Sequence, residues 1–268
     1  MNDLLHLNFR RRIAALVWGR WLIFPAGIAV MAVWRNSAGS IFTVIAGAML
    51  WVALTAWETS ARRQFVREAG LPRFLLTKLR TAYPQLEQRD AELVLRGLRQ
   101  FFMAHLRSGR KFVSMPSKVV DHAWHEFILH TEAYQRWCAA AFGGPLHHTP
   151  AEVLGLHARR NDGLRRAWYW ACKEESIEPR WPTRLPLLFA LDRKFAIAGG
   201  FSYVPDCKAI DKQSESGAYC GSDFGDSAGG SGDSHGFGGS ETSSSTGFSI
   251  DSDGGDSGGC GGGCGGGD

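Results

Sequence analysis

The chain has 268 residues, 44% apolar and 21% charged, with a net charge of +4. That length allows one or two ordinary domains, and that balance excludes a chain disordered throughout. The averages hide a split: after Lys212 there is no Lys or Arg, and the acids between Glu215 and Asp268 carry −9, so the preceding part is +13. Such asymmetry predicts a basic body facing an anionic surface, with a solvated acidic tail. Twenty of the 33 glycines also lie beyond Lys212, which leaves the folded part without glycine enrichment.

A basic segment over residues 1–12, ending in Arg10, Arg11 and Arg12, precedes two apolar runs. Ile13 to Trp34 holds one charge, Arg20, and Ala38 to Trp57 holds none. A membrane span needs about 20 mostly apolar residues, so 13–57 reads as a transmembrane hairpin with spans at 13–34 and 38–57. Neither run contains an acid, and Arg20 lies about two turns inside the first, which predicts that it snorkels to the headgroups. Pro25 predicts a kink, tolerated where neighbours satisfy the freed carbonyl. Three arginines precede the first span and Arg62, Arg63 and Arg67 follow the second, against Arg35 alone in the turn. Both termini are therefore expected in the cytoplasm, with the chain a two-span protein of the cell membrane and Trp18, Trp21, Trp34, Trp51 and Trp57 near the interfaces. A cleaved signal fits poorly because a second span follows at once, and buried helices of a soluble core are rarely apolar on all faces.

From Leu71 the pattern is amphipathic with helical period, and Gly and Pro fall between segments. A juxtamembrane helical region over 58–100 contains LPRFLLTKLRTAYP, ended near Pro84, and the start of QRDAELVLRGLRQFFMAH, which stops at Ser108 and Gly109. A helical module over 101–204 follows. Pro116 and Ser117 open VVDHAWHEFILH, Thr131 caps EAYQRWCAAAF, and Gly143 and Gly144 end it. Thr149, Pro150 and Glu152 make a capping arrangement for the next helix. LRRAWYWACKEE and LPLLFALDRKFAI complete the set, the latter followed by Gly199 and Gly200. Nothing reads as a sheet. The fold class is all-α: a two-helix transmembrane hairpin, a compact helical domain and a disordered C-terminal tail.

Six of the nine histidines fall between His122 and His157. On a helix Asp121 and His125 stand at i and i+4 and share a face. His122, Glu126 and His130 form an adjacent stripe, while His147 and His148 sit in a Gly/Pro-bounded loop that can fold back. Asp, His and Cys are ligand types for zinc or iron, which makes Asp121, His125, Cys138, His147 and His148 the candidate metal set. The spacing argues less for metal: HEFILH is not an H-E-x-x-H motif and no Cys-x-x-Cys pair is present in the module. The structural reading packs Trp124 and His125 into the core, with His125 bonded to Asp121 or a loop carbonyl and His122 and His130 solvated. A ligand pocket without metal is the third reading.

The string DxxWHxxILxTxxYxxxC, then FGxxLHHxP, then LPxLFxLD resembles the glycine-rich-domain-like family of helical proteins, over about Phe101 to Val204. The matching positions are Asp121, Trp124, His125, Ile128, Thr131, Tyr134, Cys138, Gly143, His147, His148 and Pro150. Phe127 and His130 depart from residues frequent there, and the resemblance implies no established reaction.

From 205 to 268 the chain is mostly Gly, Ser and Asp, too poor in aliphatics to bury a core, and is expected to be disordered. Cys260 and Cys264 lie there as accessible thiols, candidates for modification or soft-metal binding, and reduced in a cytoplasm. The expected role is a membrane-anchored protein whose cytoplasmic module binds or scaffolds a protein partner, with the tail as tether. The alternative is a membrane-bound metal-dependent enzyme using the histidine cluster. The membrane bilayer and its anionic headgroups are expected partners, and nucleic acid is not, because Arg62, Arg63, Arg67, Arg73 and Lys78 follow directly on the second span.

Overall fold

A computed structural model describes residues 2–33, 37–148, 158–205 and 219–220. Eight helices and two short strands lie among them. Helix α1 (Asn2–Val33) and helix α2 (Ser37–Glu68) form an antiparallel hairpin, with Gly19 against Leu54 and Ile23 against Gly47. Gly19 and Gly47 let the two backbones approach, as small residues do between membrane helices. Trp21 and Phe24 meet Trp51 at centroid distances of 6.2 and 5.1 Å. Both helices are long and apolar enough to cross a membrane. Large side chains along them, among them Trp18, Leu22, Phe24, Ile28, Phe42 and Met49, are exposed. Helix α1 runs unbroken through Pro25.

Helix α2 does not end with its apolar run at Trp57. No Gly or Pro intervenes before Gly70, so the same helix continues over residues 58–68, and its last turns carry Phe65 and Val66 into a core where both are fully buried. That core surrounds helix α4 (Gln88–Arg107), whose second half is buried from Phe101 to Leu106. Short helix α3 (Phe74–Ala82), helix α5 (Lys118–Leu129), helix α7 (Ala158–Glu174) and helix α8 (Leu187–Lys194) pack against α4. Helix α6 (Thr131–Phe142) joins α5 to α2. Phe101, Phe102, Trp124, Trp137 and Phe142 interlock at its centre, with centroids 4.6 Å apart for Phe102 and Trp137. Gly97 permits a close crossing: a Cβ there would meet Leu191 Cδ1 at 2.5 Å and Val120 Cγ2 at 3.2 Å.

Several boundaries differ from the sequence reading for local reasons. Ser117 caps α5, its hydroxyl accepting from the Val120 N–H at 3.4 Å, as expected. Thr131 is not a cap: His130 occupies that position and Thr131 is already the first helical residue, because α5 and α6 share the junction residue with no loop between them. Gly143 ends α6 in the left-handed region at φ 81°. The expected cap at Thr149, Pro150 and Glu152, and His157, lie outside the described residues. Against the reading of no sheet, strand β1 (Tyr203–Val204) pairs in parallel with strand β2 (Tyr219–Cys220), Tyr203 opposite Tyr219. Two residues per strand are too few for alternation to reveal.

Candidate functional site

The site begins with an anchor beneath helix α5. Asp192, buried on α8, accepts from Ser117 Oγ at 2.7 Å, from the Lys118 and Val119 N–H groups at 2.7 and 3.1 Å, and from the Phe201 N–H at 2.9 Å. The first free N–H groups of α5 are thus satisfied by a carboxylate, which also suits the positive end of the helix dipole. The glycine turn after α8 makes this possible: Gly199 is at φ 64°, and a Cβ at Gly200 would press on Asp192 at 2.8 Å.

One turn into α5 stand Asp121 and His125, with His125 Nδ1 3.3 Å from Asp121 Oδ2. The loop after α6 brings the third member. Trp124 Nε1 donates to the Tyr134 hydroxyl at 3.1 Å, and that hydroxyl donates to the Leu146 carbonyl at 2.6 Å. Cys138, buried beneath, also hydrogen-bonds with the Leu146 backbone and with Tyr134. Leu146 is therefore pinned, and His148 falls across Trp124, ring centroids 4.7 Å apart. Its Nε2 lies 3.1 Å from Asp121 Oδ1, and its ring 4.2 Å from that of His125. The donor atoms of Asp121, His125 and His148 all lie within 4.8 Å of one another.

The five candidate ligands thus divide. Asp121, His125 and His148 converge, whereas His147 points out of the cluster as an exposed residue and Cys138 belongs to the frame beneath it. Burial pushes the Cys138 thiol up, and the Tyr134 phenol is raised by the same cause, so neither ionises readily. His125 is not a core residue: its side chain is 49% exposed, against 16% for His148. His122 meets Tyr83 edge-on at 5.5 Å, and His130 stacks on Phe74 at 3.8 Å. Cys260 and Cys264 lie outside the described residues.

A second polar centre, where hairpin meets module, is not apparent from the sequence pattern. Arg20 does not snorkel: its Nη1 is 3.1 Å from Glu58 Oε2. The partner lies one residue past the end of the second apolar run, and the Arg20 side chain reaches it along the antiparallel pair of α1 and α2. Glu58 Oε1 takes the Arg62 guanidinium at 2.9 Å, and Arg62 Nη1 donates to the Ala139 and Ala140 carbonyls at 3.1 and 2.7 Å. The unpaired end of α6 is thereby closed by a cation. The available signal was the lone acid of WETSARR after an uncharged run.

No curated protein and no solved structure matches the chain significantly. A family model described as UCP032817-like matches residues 61–224, a span that takes in the last turns of α2, the whole of α3 and α4, and the cluster on α5. The chain belongs to the UCP032817-like family, whose description assigns no reaction.

Proposed function

We propose that this is a membrane-anchored protein whose helical module binds a divalent transition-metal ion, zinc or iron, through Asp121, His125 and His148. The observation that carries the reading is the spacing of the donors. Two ligand atoms held about 2.0 to 2.1 Å from a tetrahedral zinc stand about 3.3 Å apart. His125 Nδ1 lies 3.3 Å from Asp121 Oδ2 and His148 Nε2 3.1 Å from Asp121 Oδ1, and one donor atom from each of the three residues falls within 4.8 Å of the others. Three protein donors with an exposed His125 leave further positions open to water or substrate, the pattern of sites that do chemistry. The metal-dependent enzyme is therefore the second reading, favoured by that open side. The likeness of the Trp124 to Pro150 motif to glycine-rich-domain-like proteins is part of the same proposal, as is a tethering role for the tail.

Anchoring is supported by the two long apolar helices and their exposed aromatic and aliphatic side chains. Arg10, Arg11 and Arg12 share one end of the hairpin with Arg62, Arg63 and Arg67, which supports two spans with both termini in the cytoplasm.

The test uses the full chain in detergent, because α2 contributes Phe65 and Val66 to the module's core. Elemental analysis after zinc or iron reconstitution is expected to give one ion per chain, and His125→Ala with His148→Ala to abolish it while circular dichroism is retained. A chain that takes up no ion, and whose thermal unfolding is the same with and without chelator, overturns the metal reading. Release of the chain from membranes by alkaline carbonate overturns the anchoring.

A further inference from the structure

Beside the Arg20–Glu58–Arg62 centre lies a cavity of about 430 Å³ between α1, α2 and α6. Arg10 from α1, Arg62 from α2 and Arg136 from α6 line it, with Ile13, Val17 and Trp18 forming an apolar wall. The cations outnumber the acids. Among the described residues Glu58 serves both Arg20 and Arg62, and Arg136, itself 58% exposed, pairs with the still more exposed Glu132 at 2.8 Å. Arg10 Nε is buried and has no hydrogen-bond partner among the described residues. A buried guanidinium N–H without an acceptor costs free energy that a bound anion removes.

The height of the cavity identifies the occupant. Arg10 precedes the first apolar run and Arg62 follows the second, so the antiparallel hairpin sets both at one membrane interface, and exposed Trp18 stands at the level where indole rings settle. Below the arginines the wall is apolar and continuous with α1. Convergent cations above an apolar wall match a phosphate group with an acyl chain beneath it.

We propose that this cavity binds the headgroup phosphate of one anionic phospholipid, drawn from the bilayer, with its acyl chain along Ile13, Val17 and Trp18. The inference rests on the anchored reading and is independent of the metal site. Arg10 and Arg136 hold the phosphate, while Arg62, committed to Glu58 and the α6 carbonyls, supplies charge and shapes the floor.

Native mass spectrometry of the full chain, released from nanodiscs of phosphatidylcholine with phosphatidylglycerol, tests this. One phosphatidylglycerol per chain is expected to be retained in preference to phosphatidylcholine. Arg10→Gln with Arg136→Gln is expected to weaken retention about thirtyfold, the worth of two arginines at a membrane surface. Arg11→Gln with Arg12→Gln removes the same charge from exposed positions outside the cavity, and is expected to leave retention unchanged. Should the first pair fail to fold, Arg10→Lys with Arg136→Lys keeps the charge without the fork and is expected to retain lipid more weakly than the native chain. Equal losses in the two glutamine pairs, or no loss in either, overturn the site. Inorganic phosphate binding as tightly as the lipid overturns the lipid as its source. A chain that remains in carbonate-washed membranes yet retains no lipid overturns this inference alone.

Discussion

His105 shows how one buried side chain ties stability to pH. It lies on α4 against Phe142, and its Nδ1–H donates to the Lys111 carbonyl at 3.1 Å. Burial lowers its pKa to about 4, with the Lys111 carbonyl opposing and Arg110 assisting. The folded ring stays neutral where the unfolded ring, with a pKa near 6.5, takes up a proton. Its contribution is therefore complete above about pH 6.5 and lost as the pH falls towards 4, a difference of about 3 kcal/mol. His105→Asn keeps a donor near the Nδ1 position and cannot titrate. Urea unfolding at pH 7 and pH 4.5 is expected to show its pH-dependent loss smaller than that of the native chain by roughly 2 to 3 kcal/mol. An unchanged loss would assign the acid sensitivity to other groups. His105 was legible in sequence only as one position of an apolar face. Its protonation depends on Lys111 and Phe142, which the turn at Gly109 and the end of α6 bring to it.

Helices and caps were far more legible than ligands. Gly143 and Ser117 mark ends because a left-handed turn or an N-terminal hydroxyl is a local requirement, written where it acts, whereas α8 stops at Lys194, well before Gly199. Asp121 and His125 were legible as a pair for the same reason, being one turn apart on α5. His148 could not be told from His147 by position, since both occupy one loop. The choice is made by Trp124, Tyr134 and Cys138 through Leu146. Asp192 was visible only as the last letter of LPLLFALD, although it sets the start of α5. Asp192→Ala leaves four buried or partly buried donors without an acceptor and is expected to cost about 3 kcal/mol or more. Thermal unfolding reads that loss, and on the proposed function the metal is held less tightly as well. Gly97→Ala forces a Cβ against Leu191 and Val120 and is expected to cost about 1 to 3 kcal/mol, with the α4 and α8 amides losing exchange protection.

At the scale of the molecule, the hairpin and the module meet through Glu58. In the sequence Arg20 reads as a charge escaping to the headgroups because no acid lies inside either run, and the partner sits 38 residues away. Linear distance conceals it, and the antiparallel return of α2 supplies it. Glu58→Gln leaves the cations of Arg20 and Arg62 unneutralised at a nearly buried place, for which about 3 kcal/mol is expected. Hydrogen exchange of the full chain in nanodiscs is expected to show lost protection at the end of α6 and at the base of the hairpin together. Loss at one of the two alone would mean that they are not joined through this carboxylate.

The unbroken course of α2 from Ser37 to Glu68 removes any swivel between the apolar hairpin and the core. A domain on a flexible linker points in all directions, whereas this one is mounted on a stiff column with a fixed bearing. Each residue of a helix advances the azimuth by about 100°, so one residue added between Trp57 and Ala61 would turn everything downstream by more than a quarter revolution. The cluster of Asp121 and His125 on α5 with His148 from the loop after α6 is therefore held at one angle and one height relative to the hairpin. On the anchored reading proposed above, whatever reaches it from the membrane plane arrives from a single side.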